Sequence, residues 1–596
     1  VAKVAASQTW LKPVVRCQKI YPKPWQVFWI GYVANLIKRG LGFMFGFFKR
    51  KKSEEDPLSD LKTVSRWMQE LPAGDIYTAQ EQVVQSLIQF NHAGLPMSKD
   101  RLQVLMHLDN QARDMQYSLC LQYLRNPRMS KVIESRLWTA IHAFYWEVTR
   151  GYHTFIMDFV GNPGGSKIQP AIPQIAGRAL RGFADVFKWR YFRYEKVEEK
   201  LWQRFHNLYR ICEFDGFQNT RMKIYTSDSK PSSCMDEYVQ ALLLSPLGAG
   251  SLTPKQIEMV DLWLDNWKEM TKLENVYDES RHFFYIDTEK GHGLKRIRSS
   301  APVASSFRFI DTERLQEHIK QTERALKSGA LPPSLGLGEE FRLPDGYDLL
   351  THTANEWAAT QEQERRTNNR EPTQGRCEVV RDLGVICKRI ESELEITSGN
   401  TSGQKLTTEE ILDIKLYGFV TERTKSAISQ RVQGSRDLSA EQWPLFDRSD
   451  SGLGIVLKGE ESEWVKVGKL LAIRLDPTHP WQIGVIRRIT RMHDDMRKIG
   501  VQTLAKTPKL IQLELHEISA GLSFSVDDNQ SFQQNMSYAM VFPDPNEGNL
   551  IIMESARYAH GRQYNMRDHN GIRMIRLDSV RDKGDGWLMA TYFQVS

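Results

Sequence analysis

The sequence predicts an α+β protein: an α-helical N-terminal region followed by an antiparallel β-barrel and further C-terminal β structure. Three observations carry this expectation. From Leu58 to about Glu274 the apolar residues recur at three- and four-residue intervals. From Cys377 onward the apolar runs shorten and are bounded by glycines and turn residues. The length of 596 residues exceeds one core, since a domain usually takes roughly 100 to 200 residues.

Composition narrows the class. Hydrophobic residues make up 41% and charged residues 26%, the balance of a globular chain and not of a largely disordered one. A net charge of +7, from 80 basic against 73 acidic residues, is mild over this length and lacks the dense basic face of a dedicated nucleic-acid binder. The six cysteines, Cys17, Cys120, Cys212, Cys234, Cys377 and Cys387, are too scattered for a zinc site or a redox CxxC, which predicts buried free thiols and no metal or cofactor.

Residues 1–57 form an expected leader. Trp25 to Phe48 is apolar, but Lys38 and Arg39 interrupt it, and a charge inside a membrane span costs about 2.5 to 3.5 kcal/mol on insertion scales. Neither a stable span nor a signal peptide fits. Met44 is the expected start, with residues 1–43 a translated upstream stretch. Membrane contact is at most peripheral, through Phe45, Phe47, Phe48 and the basic run Lys49 to Lys52.

Residues 58–275 read as a helical domain. Thr78 to Glu81 has capping-box spacing ahead of Val83, Val84, Leu87 and Ile88, while Ser98 and Ser130 open two further apolar runs. Pro170, Pro173, Pro246 and the stretch Gly161 to Gly165 mark breaks between helices. Phe187 to Arg210 interleaves aromatics with Lys188, Arg190, Arg193, Arg204 and Arg210. Stacking rings beside arginines suit single-stranded nucleic acid, whereas the same residues at helical spacing suit a core face with cations reaching solvent. Residues 276–364 read as a mixed α/β connector. It holds a hairpin of His282 to Ile286 and Leu294 to Ile297, then helices over Thr312 to Leu326 and Asp348 to Glu364.

The residues that carry function follow. Arg365, Arg366 and Arg370 stand in Arg365-Arg-Thr-Asn-Asn-Arg370, and Asp447, Ser449 and Gly452 in Asp447-Arg-Ser-Asp-Ser-Gly452. Strands are expected at Cys377 to Val380, Leu453 to Leu457, Val465 to Gly468, Leu470 to Ile473, Trp481 to Ile486 and Ile499 to Leu504. This pattern resembles the PilZ family, whose RxxxR and [D/N]xSxxG signatures are matched by Arg366 with Arg370 and by Asp447 with Ser449 and Gly452. The resemblance covers about residues 365–505 and implies a PilZ-like barrel over 365–507 that binds cyclic di-GMP.

The chemistry suits that ligand. Guanidinium forks match phosphate oxygens and the guanine O6/N7 edge, Arg365 adding a third donor. Asp447 can accept from a guanine N–H, Ser449 offers a hydroxyl, and Gly452 permits close approach or positive φ. The spacing departs from the pattern, because a helical insertion over 388–440 separates the two motifs. It includes a loop at Thr397 to Gln404 and a capping box at Thr407 to Glu410. A near-match at Glu517 to Leu522 reads as a turn. Residues 508–596 continue in β texture as a C-terminal module that either forms a second barrel or completes the first.

No catalytic residue is expected. Gly161 to Lys167 has the wrong order for a P-loop, and His493-Asp-Asp495 has no partner histidines nearby in sequence. Three functions remain open: a cytoplasmic cyclic di-GMP receptor coupled to protein contacts of the helical region, a PilZ-like scaffold without ligand, and a nucleic-acid binder using Phe187 to Arg210.

Overall fold

The computed structural model describes residues 56–359, 371–397, 440–516 and 536–595, apart from short breaks at 96, 127–128, 164–166, 249, 298–303, 343–344, 459–463, 477, 493–495, 546 and 569–570. The chain divides into two compact units. One comprises residues up to 359 without two short segments, and the other comprises those segments, Arg193–Lys196 and Leu247–Thr253, together with everything from Thr360 on.

The first unit is helical, with α1 (Leu61–Glu70), α2 (Ile76–His92), α3 (Lys99–Arg125), α4 (Lys131–Gly161), α5 (Ile172–Tyr191), α6 (Glu199–Phe214), α7 (Cys234–Leu247) and α8 (Pro254–Trp267). Ser98 and Ser130 cap α3 and α4 as expected, each accepting from a backbone N–H three residues on. The capping box at Thr78 is displaced. Asp75 caps α2, accepting from the Thr78 N–H at 3.0 Å and its hydroxyl at 2.7 Å, so Thr78 lies inside the helix. A short carboxylate satisfies the same orphan donors that a threonine would.

The long helices bury an aromatic core. Phe187, Trp189, Tyr191, Phe192, Trp202, Phe205 and Tyr209 are all buried, which corrects the nucleic-acid reading of Phe187 to Arg210. Rings needed for stacking on bases face the interior. Lys188 is buried beside Asp261 at 2.7 Å and Glu258 at 3.1 Å, and Arg190 reaches Glu198 at 3.4 Å. Glu237 is held in the same core by Arg181 at 2.8 Å and Lys268 at 2.9 Å.

The connector forms a four-stranded sheet in the order β1-β4-β2-β3, from β1 (Lys272–Glu274), β2 (His282–Asp287), β3 (Lys295–Arg296) and β4 (Phe307–Asp311). Helices α9 (Glu313–Lys327) and α10 (Asp345–Trp357) follow. Helix α10 begins before Asp348 and ends at Trp357, short of Glu364, and residues 360–370 lie outside the described residues.

The second unit holds two closed barrels. The first takes β5 (Glu371–Arg381), β6 (Glu441–Ser449), β7 (Gly452–Lys458), β8 (Leu470–Arg474), β9 (Gln482–Arg491) and β10 (Met496–Ala505), ordered β10-β7-β6-β5-β8-β9. Its interior packs Cys377, Val379, Trp443, Ile455, Leu471, Ile486 and Ile499. The expected strand at Val465 to Gly468 is a turn. Lys469 donates its N–H back to Lys466, and Gly468 has a φ of 83°, which is strained for any residue with a Cβ.

The C-terminal residues close a barrel of their own, resolving the alternative left open by the sequence. Its strands are β11 (Lys509–Leu515), β12 (Met536–Asp544), β13 (Gly548–Glu554), β14 (Gln563–Asp568), β15 (Gly571–Gly584) and β16 (Trp587–Gln594), ordered β11-β12-β13-β16-β15-β14. Both barrels share one connectivity. In each, the first three strands are neighbours, the sixth lies beside the third, the fifth beside the sixth, and the fourth closes back onto the first. The C-terminal half thus repeats the first barrel's topology, although strand β14 left no alternating pattern strong enough to be expected.

Helix α11 (Leu383–Thr397) follows β5 and starts before the expected insertion at 388. Its Leu383, Ile386 and Cys387 pack with Leu470, Trp481 and Ile483 of the first barrel and with Met540, Phe542, Ile552 and Trp587 of the second. One apolar seam therefore joins both barrels through the helix, reinforced where Glu393 accepts from Trp481 Nε1 at 2.9 Å and Arg474 Nη1 at 3.0 Å. The rest of the insertion, with the capping box at Thr407 and the loop from Ser398 to Gln404, lies outside the described residues, as does the near-match at Glu517 to Leu522.

Candidate functional site

The Asp447 motif sits on a tight hairpin. Strands β6 and β7 pair antiparallel with Ser449 opposite Gly452, leaving Asp450 and Ser451 as a two-residue loop. Ser449 Oγ donates to the Gly452 carbonyl at 3.2 Å, so its hydroxyl braces the loop. Gly452 is required by close approach and not by positive φ. A Cβ there would come 2.3 Å from the Val501 carbonyl oxygen, a backbone atom that cannot yield.

Asp447 is 8% exposed and stands opposite Pro372 on β5 and Gly454 on β7, at a bulge that interrupts the register after Leu445. The bulge re-aims its side chain over Gly454, where a Cβ would come 2.3 Å from Oδ1. Lys498 on β10 places its ammonium 3.3 Å from Asp447 Oδ2. Sequence reasoning missed Lys498, because it is fifty-one positions away in the chain (498 minus 447) and only barrel closure brings it near.

Arg365, Arg366 and Arg370 lie outside the described residues, as does His493 to Asp495. The described chain resumes at Glu371, immediately after Arg370, and there Glu371 pairs with Arg448 and Pro372 with Asp447. The strand that the arginine segment precedes in sequence thus enters the barrel alongside the Asp447 motif. Among the described residues no cluster of three or more His, Cys, Asp and Glu side chains is placed to hold a metal.

The comparisons with known proteins bear on this geometry. Residues 62–279 match the family model described as cyclic-di-GMP receptor FimW, N-terminal domain. Residues 393–509 match the one described as cyclic-di-GMP receptor FimW, middle PilZ domain, and the two cover more than half of the chain. The chain belongs to the FimW family of PilZ-type cyclic di-GMP receptors. No curated protein matches it. In this receptor the PilZ match spans α11 from Glu393 and the first barrel from β6 to β10, so the barrel that carries Asp447, Ser449 and Gly452 is the PilZ domain. The helical match covers α1 to α8, for which the sequence alone offered no motif.

Two contacts link further chain segments to that barrel. Within the barrel unit, the N–H groups of Ile489 and Arg491 on β9 donate to the carbonyls of Gly250 at 3.0 Å and Tyr194 at 2.9 Å. Tyr194 adopts a φ of 59° and packs against the barrel core. A residue with a Cβ in the left-handed region carries strain of about 1 to 3 kcal/mol, which the surrounding contacts must hold.

Proposed function

We propose that the receptor works in the cytoplasm and that cyclic di-GMP docks the segment Arg365 to Arg370 onto the β6–β7 hairpin. Arg365, Arg366 and Arg370 supply guanidinium donors to phosphate and guanine edges, Asp447 accepts from a guanine N–H, and Ser449 and Gly452 hold the hairpin. One observation carries this reading: β5, entered directly after Arg370, pairs its first two residues with Arg448 and Asp447. Ordering of an entry segment by a ligand is a recognised switch, and its consequence here is a change in the protein contacts of the helical region. The segments Arg193–Lys196 and Leu247–Thr253, which flank helices in sequence yet belong to the barrel unit, are the elements on which the coupling acts.

Among the described residues no helix is long and apolar enough to cross a membrane. The partner is a protein, and the receptor has no catalytic role. Calorimetric titration of the full chain with cyclic di-GMP tests the reading, with micromolar or tighter binding expected. Hydrogen exchange in the same samples should show altered protection of the Ile489 and Arg491 amides, which donate to the Gly250 and Tyr194 carbonyls. No heat and no protection change would leave a ligand-free scaffold as the function.

A further inference from the structure

We propose that Phe446 and Lys498 are ligand-contacting residues of this site, Phe446 as a stacking face for one guanine and Lys498 as a cation for a phosphate. The inference rests on the reading of the Asp447 hairpin as the cyclic di-GMP site and extends it to residues outside both motifs.

The two side chains stand together at the motif. Phe446 precedes Asp447 in β6, is the extra residue of the bulge between Leu445 and Asp447, and is 51% exposed. A lone exposed ring is ordinary on a protein surface and by itself means nothing. Here, however, Lys498 Nζ lies 3.9 Å from the centroid of that ring and 3.3 Å from Asp447 Oδ2. One ammonium therefore touches both the exposed aromatic and the motif carboxylate, with its side chain still 36% exposed.

Beside them two glycines, Gly454 and Gly500, face each other on neighbouring strands. Across four adjacent strands, Asp447 stands opposite Gly454, Gly454 opposite Gly500, and Gly500 opposite Arg488. With strands about 4.8 Å apart, the row from Asp447 to Arg488 spans roughly 14 Å, room for a planar base and its phosphate. Gly454 is explained by the Asp447 carboxylate above it. Packing does not demand Gly500: a Cβ there would meet only Arg488 Cβ at 3.6 Å and its carbonyl at 4.0 Å, ordinary contacts. Gly500 stands at the register shift between β10 and β9, a bulge that a strand glycine often marks, and its missing side chain leaves the backbone there open to a ligand.

The chemistry assigns the roles. Guanine has two π faces, and a base stacked on an aromatic ring gains affinity whatever its edges do. Lysine is a compact charge on a flexible stem, suited to a phosphate oxygen. In the free protein the Lys498 ammonium is shared between Asp447 and the Phe446 face. Guanine N–H donors then take over the carboxylate, and Lys498 turns to the phosphate while Phe446 is covered by the base.

Calorimetry of the full chain with cyclic di-GMP, at two salt concentrations, tests this. Phe446→Leu, still apolar but unable to stack, should weaken binding about tenfold, and Phe446→Trp should restore it. Lys498→Gln should weaken binding about tenfold and reduce the salt dependence by roughly one charge, with Lys498→Arg close to wild type. Melting temperatures should stay near wild type for all four, since both positions lie on the barrel's outer face. Failure of the wild type to bind overturns the site reading and this inference together. Wild-type binding with Phe446→Leu and Lys498→Gln unchanged overturns this inference alone.

Discussion

Asp447 lies directly over Gly454, so that a Cβ at position 454 would stand 2.3 Å from its Oδ1 and 2.6 Å from its Cγ. Gly454→Ala should therefore displace the carboxylate without touching either motif. A charge-assisted hydrogen bond is worth about 1.5 to 3 kcal/mol, so affinity for cyclic di-GMP should fall roughly tenfold to a hundredfold. The displaced group is the end of a side chain, and melting should shift by only a few degrees. Unchanged affinity by calorimetry would show that Asp447 does not contact the ligand.

The arginine segment makes a separate prediction. Arg366→Ala and Arg370→Ala each remove a guanidinium assigned to the ligand and should each cost roughly tenfold to a hundredfold in affinity. Arg448→Ala is the control: it lies within the second motif, opposite Glu371, but is exposed and occupies a variable position of the signature. Should the double arginine variant bind as tightly as wild type, the ligand lies elsewhere.

The insertion separates affinity from fold. Its first helix is anchored in the seam between the barrels by Leu383, Ile386 and Cys387. Replacing residues 398–439 with a short Gly-Ser linker should thus leave the barrel melt cooperative and preserve cyclic di-GMP binding. Tighter binding would identify the replaced segment as an occluding element. A loss of binding with the melt intact would show that the insertion supplies ligand contacts.

Acid should unfold the helical unit through Glu237. Burial alone would raise this carboxyl, but Arg181 and Lys268 outweigh it and hold the group well below the usual carboxylate range. A depressed folded pKa means that the native state binds fewer protons than the unfolded one. The stabilisation is complete above the ordinary value of 4.5 and is lost as pH falls below it. Glu237→Gln should cost about 1.5 to 3 kcal/mol at neutral pH, because Arg181 and Lys268 each lose one of two carboxylates and keep only Asp228 and Asp265, and should flatten the acid limb of stability against pH. Urea melts of the full chain between pH 3 and pH 7 would check both, and an unchanged acid limb would discount the network.

Much of the candidate site could be proposed from the sequence because its two motifs are local, although Arg366 and Arg370 lie outside the described residues. Arg366 with Arg370, and Asp447 with Ser449 and Gly452, are spacings within single segments, and the hairpin that presents the latter needs only a two-residue loop. What lay hidden was nonlocal. Lys498 and Gly500 reach the site from β10, Pro372 from β5, and no property of those residues in the chain points toward Asp447. Helix starts were legible at Ser98 and Ser130, where capping is a matter of three residues, and misjudged at Thr78, where the competing Asp75 was as good a cap.

The sequence by itself determined the order of classes along the chain, helices first and then strands, because periodicities of 3.6 and 2 are written in neighbouring residues. It also determined which ligand chemistry the motifs suit. Only the tertiary structure decided that Phe187 to Tyr209 face a core, since helical spacing gives a stripe but not its direction. Only closure decided that residues after Lys509 form a second barrel of the same connectivity, and that α11 fills the seam between the two. The physical reason is the same in each case: a strand's or helix's apolar face states that it must be covered, and the long-range packing chooses what covers it.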